Sequence, residues 1–494
     1  MRKTLFILLS GIATISFADN TESSINATES TTAQPTAAPV VNANSTYIQS
    51  ENYLQNPYAT LTTGGGTQKI SEQQRESQNF AEQVFADGTW NAMLGTGGVY
   101  MFNSGDVGSS QSIGYGANIF GQTGSVAGFS LGGLFTAANP FFAKQFNNNS
   151  NGHNEAGANF TFLPANKEVT LSEGYLEYQL GNIVQADIGY IGINNSPWLS
   201  MNYYNNALAP GANYQGALVN VYPGNGWLLT GLAFNGAQLL GSSRFTPGTF
   251  YNTGADYSSG LIANQTDELS NGTMAVGANY TAWDNNYNLR LWGYSFENYG
   301  NLLYADSSIK FQPTETIAFN IALQGGNDSQ GGDSSALSNA KLGNISSNFA
   351  GIQAGFSASF FSLNIGYNNI WGPSNAYGHG AVVTPYTYGF ATDPLYTTPY
   401  MAGLNDLGSS GQAYKISPSF NFLNNNLSIA PAFTQFLTTD SALYGTKEYD
   451  FVTTYSIPQV RGLNLLGVFA YQQLPASNPI GDNSVTQLFV SYFY

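Results

Sequence analysis

The chain has 494 residues, only 9% of them charged, with 32 Tyr, 32 Phe and 56 Gly and no cysteine. Without cysteine there is no disulfide framework, no lipid-modified cysteine anchor and no thiolate metal site. A net charge of −16 sets the chain against nucleic-acid phosphates, and a soluble domain would carry about 25% charged residues.

The first predicted element is an export signal. Arg2 and Lys3 precede an apolar stretch from Leu5 to Ile15 and the small-residue site Ser16-Phe17-Ala18, which marks residues 1–18 as a cleaved signal peptide. That stretch is too short for the ~20 residues a membrane-spanning helix needs, and no later window holds 18 consecutive apolar residues. A helical membrane protein is excluded.

Residues 19–89 read as an extension. From 19 to 47 the chain is Ser, Thr, Asn, Ala and Pro, too poor in apolar surface to offset the entropy of ordering, so it predicts a disordered tether. Ser71 as an N-cap, Gln74 three residues on and the stop Asp87-Gly88 predict a short helix at about 71–86. Its Phe80, Val84 and Phe85 would dock on a barrel mouth or pair with a copy of themselves, unless the segment is only a marginal linker helix.

From residue 90 to 494 apolar residues recur every second position in short runs bounded by Gly, Asn, Pro and Asp. Ile317, Phe319, Ile321 and Leu323 alternate with small or polar residues, as do Phe361, Leu363, Ile365 and Tyr367. The same pattern in 415–422 is interrupted by Pro418, which costs one ladder hydrogen bond. The polar faces are Asn, Gln, Ser, Thr and Gly rather than the Lys and Glu of a sheet facing bulk water, which points to a lumen inside and lipid outside.

Short connections at 181–183, 223–225, 283–286, 312–315, 359–360, 423–426 and 456–462 alternate with long ones at 193–214, 236–272, 325–348 and 371–412. Short turns on one rim and long loops on the other is the arrangement of bacterial outer-membrane barrels, with the short side in the periplasm. A naive count from residue 97 gives nineteen strands; an even number with both termini in the periplasm requires one fewer. Assigning 136–170 to a single outer loop leaves eighteen. The expected fold is therefore all-β, a transmembrane antiparallel β-barrel of about 18 strands behind a short helical and disordered extension. The last strand, VTQLFVSYFY, places Leu488, Val490, Tyr492 and Tyr494 on one face, resembling the C-terminal signal that outer-membrane assembly machinery reads.

Catalytic signals are sparse. His153 and His379 both fall in predicted outer loops, beside neither a Gly-x-Ser-x-Gly elbow nor a His-Glu-x-x-His helix, so no enzyme is expected. Asp328 and Asp333 match no calcium-loop spacing, Gly64-Gly65-Gly66 lacks the Lys of a phosphate loop, and no metal or cofactor is expected. Extending the alternation instead places Glu173, Tyr175, Glu177, Asp187, Asp306, Glu448 and Asp450 on the inner wall with Arg290, Lys310 and Lys415. Six acids against three bases predict a weak cation preference for a pore.

The segment 171–216 resembles the OprD family of substrate-specific outer-membrane porins. A strand, a short turn and a second strand lead to Pro197-Trp198-Leu199, then Leu208-Ala209-Pro210 and Tyr214-Gln215-Gly216; the C-terminal part is similar around Pro458, Gly462 and Leu463. The resemblance implies eighteen strands and a loop 193–214 folded inward as a constriction, with Pro197, Trp198, Tyr203, Tyr204, Asn205 and Asn206 as its candidates. It also implies uptake of small carboxylate-bearing solutes along a ladder of arginines. Here Ala207 stands where the family has Arg, and only nine Lys or Arg remain from Trp90 onward.

The expected function is passive diffusion of small hydrophilic solutes through the bacterial outer membrane by a monomer or homotrimer, in contact with outer-membrane lipid and without nucleic acid. The alternative is a structural or adhesive barrel with surface-binding loops and an occluded lumen.

Overall fold

The computed structural model describes residues 84–494 apart from 86, 105–108, 147–162, 164–165, 194, 200–207, 209–212, 239–242, 248–271, 298, 332–343, 383, 385–392 and 479–480. The signal peptide, the tether and the predicted helix up to residue 83 lie outside the described residues, as do Gly64-Gly65-Gly66, His153 and Asp333.

The alternating text folds into strands. The first seven are β1 (Thr89–Asn103), β2 (Ser109–Gln122), β3 (Phe129–Phe146), β4 (Glu168–Leu180), β5 (Val184–Ile191), β6 (Asn213–Gly224) and β7 (Trp227–Gln238). A three-residue arm, β8 (Phe245–Pro247), pairs with the end of β7. Then come β9 (Thr273–Ala282), β10 (Tyr287–Phe296), β11 (Gly300–Phe311), β12 (Ile317–Gln330), β13 (Ser346–Ala358) and β14 (Phe361–Trp371). The last five are β15 (Gly411–Phe422), β16 (Leu427–Thr438), β17 (Lys447–Ser456), β18 (Leu463–Gln473) and β19 (Asn483–Phe493).

Apart from the β8 arm, these make eighteen antiparallel strands, each paired with the next, and β7 pairs with β9 directly. The barrel closes where β19 pairs with β1, from Met93 opposite Phe493 to Asn103 opposite Asn483. Tyr494 completes the seam by donating to the Ala92 carbonyl at 2.9 Å. Closure leaves no sheet edge. Both ends of the barrel segment lie at the short-turn rim, where the Val84 carbonyl accepts the Gly124 N–H at 3.0 Å.

Several boundaries differ from the expected ones, most of all around 136–170. Where 136–170 reads as loop, β3 continues to Phe146 and β4 begins at Glu168. The Ala137-Ala138-Asn139-Pro140 text hides the alternation, and the β2–β3 register shifts as Ile113 opposite Phe142 gives way to Gly114 opposite Pro140. A bulge lets a residue without an N–H sit in the strand, and it leaves Phe141 and Phe142 both exposed. Pro418 shows the second device. The β15–β16 ladder has paired residues at Ile416–Phe433 and Phe420–Ile429 but not between them, where Pro418 falls opposite Pro431, so one gap accommodates both missing donors.

The period of two sorts the side chains. On β12, Phe319, Ile321 and Leu323 are exposed while Ala322 and Gln324 are buried. On β14, Ile365 is exposed while Ser362, Asn364 and Asn368 are buried. An apolar belt thus faces outward, and at the short-turn rim it ends in exposed Trp90, Trp283, Phe311, Phe360, Phe422 and Tyr494, the aromatic girdle of an interfacial region. Among the described residues no helix is long and apolar enough to cross a membrane; the elements that can are the strands.

Candidate functional site

Two long connections turn into the lumen. The first, after β5, begins with Gly192 and runs to residue 212. Asn195 donates to Asn220 at 3.1 Å and to Thr230 at 3.0 Å, Ser196 shares a hydrogen bond of 3.0 Å with the Tyr294 hydroxyl, and Tyr214 donates to the Leu199 carbonyl at 2.9 Å. Trp198 is fully buried, edge-on to Tyr304 and to Phe349 with ring centroids 6.2 and 5.8 Å away. Leu208 reaches the opposite wall. A Cβ on Gly95 of β1 would stand 2.5 Å from its Cδ2, and one on Gly116 of β2 would stand 2.8 Å from its carbonyl oxygen, so the close approach of the backbone depends on Gly116. The described residues of this connection thus contact the wall at β11–β13 and at β1–β2. Of the constriction candidates, Trp198 is buried and Pro197 lies beside it, whereas Tyr203, Tyr204, Asn205 and Asn206 lie outside the described residues.

The second inward segment, 393–407 between β14 and β15, carries no signal in the sequence, where it reads as an outer loop rich in Tyr and Asn. Leu395, Thr397, Leu404 and Leu407 are at most 1% exposed. It is fastened to four walls. Thr397 donates its N–H and its hydroxyl to Asn368 Oδ1 at 3.1 and 3.2 Å, and Lys415 Nζ donates to the Thr398 carbonyl at 2.5 Å. Asp450 accepts the Tyr400 N–H at 3.3 Å, Glu448 accepts the Met401 N–H at 2.5 Å, and the Tyr400 hydroxyl donates to Gln487 at 2.7 Å. Leu395, Leu404 and Leu407 belong to the same buried apolar cluster as Trp198 and Leu199 of the first loop, a cluster that also includes Tyr304, Phe349 and Ile370 of the wall.

The predicted wall residues fall into three groups. Arg290 on β10 and Asp306 on β11 are register partners and form a buried ion pair, with Nε 3.0 Å from both carboxylate oxygens and Nη2 on Oδ2; the Tyr304 hydroxyl donates to the same carboxylate at 2.7 Å. Lys415, Glu448 and Asp450 hold the second inward loop. Glu173, Tyr175, Glu177 and Asp187 stand on β4 and β5, all at most 4% exposed. Lys310 shares the inward parity of Asp306 but lies exposed at the short-turn rim.

Within the β4–β5 group Glu177 is saturated. It accepts Gln122, Gln179 and Gln185 at 2.8 Å each and the Ser130 hydroxyl at 3.1 Å. Asp187, its register partner, accepts only Gln185, at 3.1 Å, on one oxygen. Among the described residues, both carboxylate oxygens of Glu173, the Tyr175 hydroxyl and Asp187 Oδ1 have no hydrogen-bond partner.

Inside the second loop lies an acid pair that sequence reading missed. Asp393 Oδ1 accepts the Leu395 N–H at 3.0 Å and Asp406 Oδ2 accepts the Gly403 N–H at 2.8 Å, so both carboxyls flank Gly403, where a Cβ would stand 2.2 Å from Asp393 Oδ2. Burial pushes the Asp393 carboxyl up to about 7, and burial together with Asp393 raises Asp406 well above the ordinary range. Nothing in a loop sequence announces burial, so this pair had no signal to find. His379 is exposed in the same connection, its Nδ1 3.2 Å from the Ser374 carbonyl.

Solved structures share this architecture. The chain is similar to the outer membrane protein OpdK of Pseudomonas aeruginosa at TM-score 0.63 and 17% identity, covering 82% of this chain and 98% of that one. It is similar to OccAB3 of Acinetobacter baumannii at TM-score 0.65 and 16% identity, covering 83% and 100%, and to OccK8 (OprE) of P. aeruginosa at 0.65 and 14%, covering 83% and 98%. The fold is that of the OprD/Occ porins. No protein-family model and no curated protein matches the chain. At this identity the likeness speaks for the barrel and not for a solute, and the vanillate bound in one OpdK structure is a property of that protein.

Proposed function

We propose that the chain is an outer-membrane porin of a Gram-negative bacterium, through which small hydrophilic solutes diffuse passively with a weak preference for cations. One observation carries the reading: a closed eighteen-strand barrel is apolar outside and polar inside, and its inner wall bears more carboxylates than bases. The OprD/Occ fold supports it, since those structures are channels rather than enzymes. Passage needs no turnover chemistry, only a lumen whose field favours one sign of charge. The strand ending in Tyr494 would present the signal for assembly into the membrane, and the chain would work as a monomer or homotrimer.

A second reading, a structural or adhesive barrel, draws on the two connections whose residues are buried against the inner wall. Single-channel current in planar bilayers under a salt gradient separates the two, using the full chain and a chain starting near Trp90. Stable steps with a reversal potential of cationic sign are expected, and a larger current after truncation would identify the N-terminal extension as a plug. Folded protein that passes no current in either form would reject the porin and leave the occluded barrel.

A further inference from the structure

We propose that Asn320, Gln353 and Asn364, on the inner face of β12, β13 and β14, form a lumenal subsite for an uncharged, hydroxyl-rich solute, a sugar or another polyol. The proposal deepens the porin reading, on which it rests for access from solution.

Register builds the patch. Asn320 and Asn364 stand on either side of Gly355, and Gln353, two residues away on the same strand, stands between Ala322 and Gly366. The small partners matter. The place a Cβ on Gly355 would need is taken by Asn320 Oδ1 and Asn364 Oδ1, so only Gly there lets the two amides close over the strand from both sides. Tyr396 of the second inward segment forms a roof: it packs on Ala322, and a Cβ on Gly366 would stand 2.8 Å from its carbonyl oxygen. Asn320, half-buried, marks the open side toward the short-turn rim, and half-buried Ser417 of β15, opposite Asn364, adds a hydroxyl at the edge.

Amides on this wall can be plain scaffolding, and the pair nearer the long loops is. Asn368 accepts the Thr397 N–H and hydroxyl, and Gln324 accepts the Tyr396 N–H at 2.9 Å, so both serve the loop. Gln353 and Asn364 differ. They are 3% and 2% exposed, yet among the described residues neither Gln353 Oε1 nor Asn364 Oδ1 has a hydrogen-bond partner. Buried acceptors of this kind cost free energy unless a donor meets them.

The surroundings select the chemistry of that donor. Residues 317–324, 351–358 and 361–368 contain no Asp, Glu, Lys or Arg. The flanking charges are engaged elsewhere or open to water. Asp306, opposite Gln324, pairs with Arg290; Lys415, opposite Gly366, donates to the Thr398 carbonyl; Lys310, opposite Asn320, is exposed at the rim. A charged solute would give up its hydration without meeting a counter-charge in the patch. An amide, whichever way it is turned, offers both donors and an acceptor, and a hydroxyl gives and takes in the same way. Several hydroxyls on one rigid frame can meet the three amides together, whereas separate waters must each be ordered. The C–H face of a sugar ring can lie against Tyr396.

The test is saturation-transfer NMR on the full-length protein in micelles of an amine-oxide detergent, which carries no sugar. Three probes are titrated: glucose; triethylene glycol dimethyl ether, uncharged and of nearly equal mass but without an O–H; and gluconate, an anion of similar size. Glucose should bind about tenfold more tightly than the ether, and gluconate no more tightly than glucose. N364A and Q353A should each weaken glucose about fivefold, the loss of one neutral hydrogen bond, and leave the ether unchanged. Equal binding of glucose and the ether overturns the subsite and leaves the amides to water alone; tighter binding of gluconate overturns the uncharged class. Unchanged glucose affinity in variants that keep the mobility of a folded barrel overturns it too, and if one variant does not fold the other decides on the same criterion. Current through the pore without a preference for glucose rejects the subsite and keeps the porin; N364A-sensitive glucose binding without current keeps the subsite and rejects the porin.

Discussion

Two groups of lumenal acids, similar in the sequence, are treated differently by the fold. Glu448 and Asp450 on β17 receive the N–H groups of Met401 and Tyr400, the Gln472 amide at 3.0 Å and the neighbouring charge of Lys415. Glu173 and Asp187 on β4–β5 receive, between them, one glutamine amide. The first group is an anchor whose charges hold a loop in the lumen. The second is buried with few hydrogen-bond partners among the described residues, and identical residue types say nothing about which is which until their neighbours are known.

The largest effect that would break this comparison lies at Lys415. K415M removes the cation from a buried group of three acids, Asp393, Glu448 and Asp450, and takes the donor from the Thr398 carbonyl. Removing one partner of a buried charged set costs about 3 to 5 kcal/mol. The variant should unfold at distinctly lower denaturant, followed by tryptophan fluorescence in micelles. A midpoint unchanged from the parent would mean that the β17 acids anchor nothing.

Next in size is the pH response of the inward loop. Asp393 holds its proton in the seated loop up to about 7, against an ordinary value of 3.8 once released. The seated form thus binds the extra proton, so its advantage is complete below about pH 4 and is lost as the pH rises through about 7. Asp406 on the same loop adds to the repulsion, Lys415 opposes it, and Glu448 and Asp450 face the loop from β17. Single-channel current should therefore step upward between about pH 6 and 8, and D393N should flatten the response. A current constant from pH 5 to 8.5 would show that the loop does not move with this proton.

The smallest effect sharpens the contrast from the other side. E173Q loses no hydrogen-bond partner among the described residues, so its unfolding free energy should stay within about 1 kcal/mol of the parent, while its reversal potential moves toward zero. A large loss of stability would make Glu173 an anchor like Glu448 and erase the distinction.

Much of the fold was legible because a barrel wall is a local code. Phe319, Ile321 and Leu323 on the lipid side and Gln324, Asn364 and Asn368 on the lumen side could be assigned from alternation alone. The limits were equally local. Pro140 sits within β3 because a bulge absorbs it, which the text around it concealed, whereas Pro418 broke little because Pro431 stands opposite. The candidate site was legible as a set of inward residues but not as groups: Arg290 and Asp306 are 16 positions apart and meet only through the β10–β11 register.

By itself the sequence determined the strand period and the apolar face of the strands, because both follow from neighbours one or two residues away, and the even strand count followed once the parity of bacterial barrels was applied to a count of nineteen. Tertiary structure alone decided which loops enter the barrel and which acids find partners. Segment 393–407 is buried only because Asn368, Lys415, Glu448, Asp450 and Gln487, carried by four different strands, present their polar atoms at matching heights. That match is fixed by register around a closed sheet, a property of no single stretch of chain.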